Sequence, residues 1–593
     1  MNFLSEKQIR QKVNFLEDYA KATNPATASI VDANSNVTEK SLATAYAELY
    51  KDYNIQINRK LSYEKIKEMY GEELAKKYLE DLEGHLIYVN DESSLFTYCC
   101  SVSLYPFLIY GTRCLGGVSD APKNLQSFCG SFVNCVYQIA SSFAGAVATV
   151  EFLHLFDYFA RKQYGKNYLK TNSREISQEL QGVVYALNQP ASARGNQSVF
   201  WNISVFDKYY MESMFGDFFY PDGTQIDFDS VRELQKFFME WFRKEREKSL
   251  LTFPVLTASC LEREDKEGFR DEEFIDFLCE EMEKGLSFFI YESTSADSLS
   301  SCCRLRNEIT ENDFSYTLGA GGVMTGSVQV ITLNANRLVQ KYGLSELEPL
   351  IHRMHKYLTA YREIYKHYIE LEMLPPYTAG FITLDKQFIT IGVNGIVEAA
   401  EFLGYDISPN EKYIKFCSDF LGSIKKLNME YRQQTGIKVN TEIIPAENLG
   451  VKNAKWDKRE GLKVNRECYN SYFYKVEDEN SSILDKFILH GSAITDYLDG
   501  GSALHANIEH LLSKEQAKKL FNIAMKQGVP YWTFNCKMTC CNDCGYIDVE
   551  TKKKCSKCGS ENIDYATRVI GYLKKISNFS AKRQEEAERR FYM

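Results

Sequence analysis

The chain has 593 residues, of which 44% are hydrophobic and 13% aromatic, enough for a large buried interior. Its formal net charge of −10 argues against a protein that binds nucleic acid mainly by electrostatic attraction. We find no signal-peptide pattern and no run of about 20 apolar residues, so we expect no membrane span. The 17 cysteines then indicate a reducing cytoplasm and roles other than disulfides.

Residues 1–83 have the periodicity of helices. Ser5 and Gln8 have the spacing of a capping box, in which each side chain bonds to the backbone amide of the other residue. We interpret this segment as an amphipathic helical cap or a dimer surface.

Two extended runs follow between residues 84 and 110, and the second begins near Cys99 and Cys100. Adjacent residues of a strand face opposite sides. Only one of the two cysteines can therefore enter a shared site, and burial as an ordinary apolar side chain is the alternative reading for each.

From residue 230 onward, apolar strands alternate with helices. Ser230 and Glu233 predict the capped start of one helix. The alternation predicts a parallel sheet, open or closed into a barrel, with its chemistry on loops at strand ends. Cys302 and Cys303 lie in such a loop. A later helix carries His352, His355 and His367. The first two have the HxxH spacing of a metal pair, but no third ligand lies at useful spacing, so we expect ordinary structural roles for all three histidines.

Two cysteine pairs near the end of the sequence have the spacing of a tetrahedral four-thiolate zinc site: Cys541, Cys544, Cys555 and Cys558. Gly545 and Gly559 follow the pairs and allow tight turns around a metal. Cys540 could replace Cys541 with a looser spacing. By itself, this pattern is typical of a zinc ribbon.

The apolar run Arg568-Val569-Ile570-Gly571-Tyr572-Leu573 follows the cysteine pairs. Glycine has no side chain to hinder planarity, so an unpaired electron on its Cα is delocalised over the flanking amide groups. Such a radical can generate a cysteine thiyl radical, which abstracts hydrogen from carbon. A metal-stapled unit that holds Gly571 inside a barrel beside Cys303 would shield the radical from oxygen.

RVIGYL resembles the glycyl-radical motif, and together with the cysteine pairs the chain is similar to the class III, anaerobic ribonucleoside-triphosphate reductases. The similarity starts near residue 84 and continues through segments in the family's order, among them YCCSVSLYPFL, SSCCRLRN, GSVQVITLN, NSYFY and GGSALHANIEH. The segment Tyr88-Val89-Asn90-Asp91 stands where the family often has HIHD, so no role of that histidine is carried over.

The resemblance implies an α/β fold: a ten-stranded α/β barrel made of two five-stranded half-barrels, usually in a homodimer. We expect an N-terminal helical segment at 1–83, the barrel at 84–535, and a C-terminal zinc-binding and glycyl-radical domain at 536–593. The implied allosteric effectors are dNTPs and ATP. The helices before residue 84 do not resemble the family's ATP-binding cone, so overall on/off control by ATP and dATP is not carried over.

The resemblance also implies roles for single residues. The thiyl radical would take the ribose 3′ hydrogen, and the 2′ hydroxyl would leave as water. The implied set is Gly571 as the radical glycine, Cys303 as the thiyl cysteine with Cys302 as the alternative, Cys99 as the reducing cysteine on the opposite ribose face with Cys100 as the alternative, and Asn334 as a substrate-holding residue. The zinc ligands would be the four paired cysteines.

The implied partners are a ribonucleoside triphosphate, a radical-SAM activating enzyme that uses S-adenosylmethionine and an iron–sulfur cluster, and a reductant. The reductant is either formate or a protein like thioredoxin or glutaredoxin. We expect a cytoplasmic enzyme that contacts neither membrane nor nucleic acid directly.

Two other functions fit part of the sequence. A glycyl-radical enzyme of the pyruvate formate-lyase type also has adjacent cysteines and an RVxGY motif, but the zinc tetracysteine argues against it. A nucleic-acid-binding protein with a zinc ribbon would fit the local KKKCSKC run, but the acidic whole and the large β/α body do not favour it.

Overall fold

The computed structural model describes residues 4–24, 26, 40–191, 196–296, 324–444, 448–569 and 571–593, and the backbone alone of residues 298–300 and 306–308. Cys302 and Cys303, predicted as the candidate thiyl cysteines, lie outside the described residues.

Helices form the described part of the chain before the sheet: Glu6–Lys21, Leu42–Glu48, Lys51–Tyr70 and Glu72–Glu83. The first has the predicted capping box, since Ser5 Oγ accepts a hydrogen bond from the Gln8 amide and the Ser5 amide donates to Gln8 Oε1. Helix Lys51–Tyr70 packs against the long helix Leu347–Glu370. The helical interpretation of this segment is confirmed.

One large sheet organises the rest of the molecule. Its strands and a small hairpin are β1 (Ile87–Val89), β2 (Cys99–Ser101), β3 (Val147–Ala148), β4 (Trp201–Phe206), β5 (Val255–Leu261), β6 (Phe289–Ser293), β7 (Ser298–Ser300), β8 (Arg306–Glu308), β9 (Thr325–Asn334), β10 (Gln387–Asn394), β11 (Val439–Ile443), β12 (Leu504–Ile508) and β13 (Tyr531–Cys536). The sheet order is β11-β10-β9-β2-β3-β4-β5-β6-β13-β12, and β1 pairs with β9 outside this path. Strands β7 and β8 form a separate two-stranded sheet.

The sheet consists of two parallel halves. Strands β2 to β6 run parallel to their neighbours, as do β9, β10 and β11 and the pair β12 and β13. The halves meet antiparallel where β2 pairs with β9 and β6 with β13. A parallel bridge between Glu442 and Gly501 brings β11 to the residues just before β12 and closes the barrel. The predicted ten-stranded barrel of two five-stranded halves is confirmed.

Helices cover the outside of the barrel. They are Tyr105–Tyr110, Leu125–Ala140, Phe152–Tyr164, Tyr168–Thr171, Ser173–Leu187, Lys208–Phe215, Phe228–Arg246, Glu272–Glu283, Ala335–Arg337, Leu347–Glu370, Pro375–Thr378, Ile396–Phe402, Glu411–Thr435, Leu449–Arg459, Ile483–Leu489, Ser492–Thr495, Lys514–Gln527 and Ala581–Arg589. Every residue of β4, β5, β9 and β10 is buried, because one face meets the helices and the other faces the barrel interior.

The capping box predicted at Ser230 and Glu233 is wrong. The helix begins earlier, at Phe228, and Asp227 caps it by accepting a hydrogen bond from the Ser230 amide at 3.2 Å. The Ser230 hydroxyl instead donates to the buried carboxylate of Asp157. The Ser230 side chain therefore makes a tertiary hydrogen bond and not the helix cap that the local pattern predicts.

A small antiparallel sheet follows the barrel. Its strands are β14 (Met538–Cys541), β15 (Ile547–Asp548), β16 (Ile563–Thr567) and β17 (Lys574–Lys575), in the order β15-β14-β16-β17. We call residues 537–575 the lobe. None of the helices in the described part of the chain is long and apolar enough to cross a bilayer.

Candidate active site and metal centre

The four paired cysteines converge in the lobe. The sulfurs of Cys541 and Cys558 lie 3.6 Å apart, as do those of Cys544 and Cys555, and all four lie within 4.8 Å of one another. A tetrahedral zinc site with Zn–S distances of about 2.3 Å has sulfurs about 3.8 Å apart. The donor set and its spacing therefore fit Zn²⁺.

Tight turns bring the pairs together. Gly545 and Gly559 each follow a pair with φ values of 74° and 73°, in the left-handed region that favours glycine. Cys540 faces the other side of β14 and packs with Met538 and Leu573 in an apolar cluster. Burial raises the pKa of Cys540 to about 11. Cys541 rather than Cys540 thus joins the sulfur cluster.

The residues just before Gly571 are held by Asn535, the penultimate residue of β13. We call residues 567–569 the stem. Asn535 Oδ1 accepts from the Arg568 amide and from Thr567 Oγ1, both at 2.9 Å, and its Nδ2 donates to the Arg568 carbonyl at 2.9 Å. One amide side chain therefore pairs with the stem backbone as a neighbouring strand would.

Two further buried side chains contact the stem. His505 on β12 donates from Nδ1 to the Arg568 carbonyl at 3.3 Å, and Tyr472 donates its hydroxyl to the Val569 carbonyl at 3.4 Å. The Tyr472 hydroxyl also lies 3.1 Å from His505 Nδ1. Strand β12 and the segment containing Tyr472 thus fix the carbonyls of Arg568 and Val569.

The Arg568 side chain ties the stem to the start of β6. Its guanidinium donates to Oγ of Ser287 and, at 3.1 Å, to the Ser287 carbonyl. Arg246 donates to the same carbonyl at 2.8 Å. Burial lowers the pKa of Arg568 to about 10, and burial followed by repulsion from Arg568 lowers the pKa of Arg246 well below its usual value.

Gly571 itself is buried. Its neighbour Tyr572 is only 5% exposed, and its ring centre lies 5.1 Å from that of Phe200 and 5.8 Å from that of Phe253. Phe200 directly precedes β4 and also packs in one small apolar cluster with Cys99. Phe200 therefore contacts both Tyr572, next to Gly571, and the cluster that contains Cys99 on β2.

Strand β2 turns its two cysteines to opposite sides. Cys99 Sγ accepts from the Ala146 amide at 3.3 Å, and a Cβ at Gly145 would lie 2.4 Å from this sulfur, so glycine is required for the close approach. Cys100 is fully buried in the main core, together with residues of the outer helices. Cys99 is thus the member of the doublet that faces the barrel interior.

A row of polar side chains continues from Cys99 around the interior. Cys99 pairs with Ser327 on β9, whose hydroxyl lies 2.7 Å from that of Thr390 on β10. The Thr390 hydroxyl in turn donates to Asn440 Oδ1 on β11 at 2.7 Å. All three polar side chains are fully buried, so the barrel interior offers hydroxyl and amide groups to a polar ligand.

Asn334 ends β9 in a different network. Its Nδ2 donates to both oxygens of Asp457 at 3.2 Å, and its Oδ1 accepts from the Arg337 amide at 3.1 Å. Arg337 and Tyr469 each donate to the same carboxylate at 2.6 Å. The Asn334 amide is therefore engaged within the protein, and its substrate-holding role stays a prediction.

The connection that carries Cys302 and Cys303 leaves β6 at Ser293 and reaches β9 at Thr325.

Among the three histidines on the long helix, His355 is buried, bonds to Asn428 Oδ1 at 2.7 Å and stacks on Tyr431. Burial lowers the pKa of His355 to about 4.

Sequence reasoning missed the residues that hold the stem. Tyr472 and His505 lie in NSYFY and GGSALHANIEH, which the resemblance had singled out without giving them roles. Asn535 lies in a strand pattern, and nothing local distinguishes it from other strand residues. All three act only through partners that are distant in sequence.

Comparisons with known proteins agree with this architecture. The family model described as anaerobic ribonucleoside-triphosphate reductase matches residues 47–592. Among the curated proteins none matches. A solved anaerobic ribonucleotide reductase is 28% identical, with a TM-score of 0.85, over 99% of this chain and 92% of that one.

The enzyme of Thermotoga maritima is also similar. Its structure with dATP and CTP is 26% identical with a TM-score of 0.83, over 99% of this chain and 100% of that one. Its structure with dATP in the specificity site is 27% identical with a TM-score of 0.82, over 98% and 100%.

The barrel and the family match together define an oxidoreductase of the ribonucleotide reductase class. The chain belongs to the anaerobic ribonucleoside-triphosphate reductases, enzymes that reduce ribonucleoside triphosphates to deoxyribonucleoside triphosphates. This finding favours the predicted function over the pyruvate formate-lyase type and over a zinc-ribbon nucleic-acid-binding protein.

Proposed function

We propose that ribonucleotide reduction in this chain starts from a radical on the Cα of Gly571, which passes to Cys303, with Cys302 as the alternative. One observation carries the proposal: Gly571 is buried at the end of a stem that barrel residues hold. The contact of Tyr572 with Phe200, which packs with Cys99, supports it further.

The chemistry balances with two cysteines and an external reductant. The thiyl radical takes the 3′ hydrogen atom of the ribose, the 2′ carbon–oxygen bond breaks, and the hydroxyl leaves as water with one added proton. Cys99, with Cys100 as the alternative, supplies reducing hydrogen from the other ribose face. The 3′ hydrogen returns from the first cysteine, which regenerates its thiyl. Formate or a protein like thioredoxin or glutaredoxin supplies the two electrons of the net reaction.

The four clustered cysteines would hold Zn²⁺ in a structural site, because four protein ligands leave no coordination position for substrate. Zinc would then fix the turns of the lobe. In this proposal, residues 1–83 are a helical segment, residues 84–535 the barrel, and residues 536–593 the zinc-binding and radical-bearing domain.

Four partners complete the proposal: a radical-SAM activating enzyme with S-adenosylmethionine and an iron–sulfur cluster, a second copy of the chain, nucleotide effectors, and the reductant. The relatives solved with dATP in a specificity site and with dATP and CTP support control by nucleotides. We also propose that the enzyme is cytoplasmic.

The test is anaerobic activation followed by EPR spectroscopy and analysis of the product formed from CTP. We expect a glycine-radical doublet that disappears in Gly571→Ala. Gly130→Ala is the matched control, because an added methyl group there meets nothing within 4 Å. A doublet that persists in Gly571→Ala would refute the radical assignment.

Cys303→Ser and Cys302→Ser distinguish the two candidate thiyl residues. We expect Cys303→Ser to keep the glycyl radical and lose dCTP formation, whereas Cys302→Ser keeps both. The opposite pattern would assign the thiyl to Cys302. Separate reactions with formate and with a reduced thioredoxin identify the electron donor.

A further inference from the structure

A short segment after the last helix lies across the stem. We call residues 590–593 the tail strap. Arg590, only 4% exposed, donates from Nη1 to the Arg568 carbonyl at 3.2 Å and from Nη2 to the Val569 carbonyl at 2.7 Å. One guanidinium thus bridges the carbonyls of two successive stem residues, a geometry that its planar fork of donors suits.

The direction of Arg590 is set by the helix that precedes it, Ala581–Arg589. Glu586, one turn earlier, accepts from Arg590 Nε at 2.8 Å, and the guanidinium lies 5.6 Å from the centre of the Tyr472 ring. Burial alone would lower the pKa of Arg590, but the carboxylate of Glu586 brings it above its usual value. The side chain therefore remains a cation and makes charge-assisted hydrogen bonds to the stem.

The tail strap is anchored to the barrel by its backbone. The Met593 amide donates to the Asn507 carbonyl at 3.2 Å, and the Glu509 amide donates to the Met593 carbonyl at 2.7 Å, so the strap pairs with the end of β12. The Phe591 amide donates to the Val476 carbonyl at 2.9 Å. A force that pulled the stem out of the barrel would thus have to break the Arg590 bonds or detach the strap.

A second side chain of the strap also reaches the stem. The Tyr592 hydroxyl lies 3.1 Å from Thr567 Oγ1, and Lys537 Nζ lies 4.7 Å from the centre of the Tyr592 ring. Contacts from the strap therefore reach all three stem residues, from Thr567 to Val569. From the barrel strands, Asn535 holds Thr567 and Arg568, and His505 holds Arg568.

We infer that Arg590 is a positioning residue, which holds Gly571 in the barrel interior and limits how readily the stem leaves it. The inference rests on the proposed radical at Gly571. It has two consequences of opposite sign. Loosening Arg590 makes the buried glycine easier for the activating enzyme to reach, but it places the radical less accurately for each turnover. A purely structural role of Arg590 would lower both the rate of radical formation and the turnover.

The test compares Arg590→Gln and Arg590→Lys with Arg353→Gln in the full-length protein. Lysine keeps the charge but cannot bridge two carbonyls with a planar fork. Arg353 is the matched control. It is also a largely buried arginine, it lies on the long helix Leu347–Glu370, and its guanidinium is 2.9 Å from the carboxylate of Asp81. The measurements are hydrogen exchange of residues 567–573, the initial rate of radical formation at limiting activating enzyme, and dCTP formed per radical spin.

We expect both Arg590 variants to exchange at least about 10-fold faster in this segment, because two hydrogen bonds to a charged group are lost. Radical formation should accelerate. Turnover per spin should fall by about 10- to 100-fold, because small misplacements of reacting groups slow a reaction by such factors. Arg353→Gln should change none of the three. Unchanged exchange, unchanged turnover per spin, or full rescue by lysine would each overturn the inference.

Two safeguards keep the outcomes separate. If the parent protein forms no radical, the proposed function fails, while the exchange measurement still decides whether Arg590 holds the stem. If the Arg590 variants do not fold, Glu586→Ala removes the carboxylate that directs the Arg590 side chain but keeps the arginine. We then expect exchange of the stem to rise severalfold, and an unchanged rate would overturn the inference.

Discussion

The lobe and the stem are held in contrasting ways. In the lobe, four sulfurs from residues 541–558 meet within 4.8 Å of one another, and a single ion would fix their geometry. In the stem, three residues are held by side chains from β12, β13, Tyr472 and the tail strap. Loss of the ion alone would therefore disrupt the lobe, whereas loss of any one side-chain contact would loosen the stem only in part.

Removal of the metal should have the largest effect. Cys541→Ser, or a zinc chelator added to the parent, should reduce bound zinc from about one ion per chain to none. Structural zinc stabilises small sites by roughly 10 kcal/mol or more, so the lobe should unfold and the Gly571 radical should no longer form. Elemental analysis, limited proteolysis of residues 537–575 and EPR would check this. A radical at full yield in a zinc-free lobe would show that the stem does not depend on the metal.

The next largest effect is expected from the two cysteines of β2. Cys99→Ser should abolish dCTP formation while the glycyl radical forms normally, because Cys99 faces the interior and contacts the cluster that contains Phe200. Cys100→Ser should keep turnover, with only a loss of stability from its place in the main core. The measurements are EPR and product analysis of both variants. Loss of turnover in Cys100→Ser alone would reverse this orientation argument.

Asn535→Ala tests whether the stem is held piece by piece. It removes the acceptor of the Arg568 amide and of the Thr567 hydroxyl, whereas the Arg568 carbonyl keeps its bonds from His505 and Arg590. We expect a loss of roughly 2–4 kcal/mol in the free energy of unfolding with a reduced radical yield. Asn428→Ala is the control, since Asn428 is also buried and bonds to His355 and Thr441 far from the stem. Urea unfolding with EPR separates the two. Equal radical yields in both variants would show that Asn535 is not needed to position the stem.

The smallest effect is expected for Cys540→Ser. The new hydroxyl would replace a thiol in an apolar cluster, at a cost of about 1–2 kcal/mol, and zinc content should stay unchanged. Loss of zinc in this variant would show that Cys540, not Cys541, is the ligand.

The sequence predicted the lobe well because its information is local. Each cysteine pair and its glycine lie within a few residues, and the spacing alone indicates four sulfurs around one ion. Strand alternation indicated that only one cysteine of the 99–100 doublet enters the interior, but which one depends on the register of β2 against β9. The stem contacts of Asn535, His505 and Arg590 could not be predicted, because no local pattern links residues so distant in the chain. At Ser230, a tertiary bond to Asp157 overrode a plausible local cap.

The opposite directions of the two half-barrels place different chain segments at the two rims of the barrel. In a barrel with all strands parallel, the strands end on one rim, where the catalytic loops cluster. Here β6 and β13 are antiparallel neighbours, so the connection after β6 and the lobe after β13 start from opposite rims. Arg568 and Tyr572 meet Ser287, Phe200 and Phe253, which lie just before first-half strands. The lobe and the stem therefore lie at one mouth of the barrel, and the connection that leaves β6 at Ser293 starts at the other.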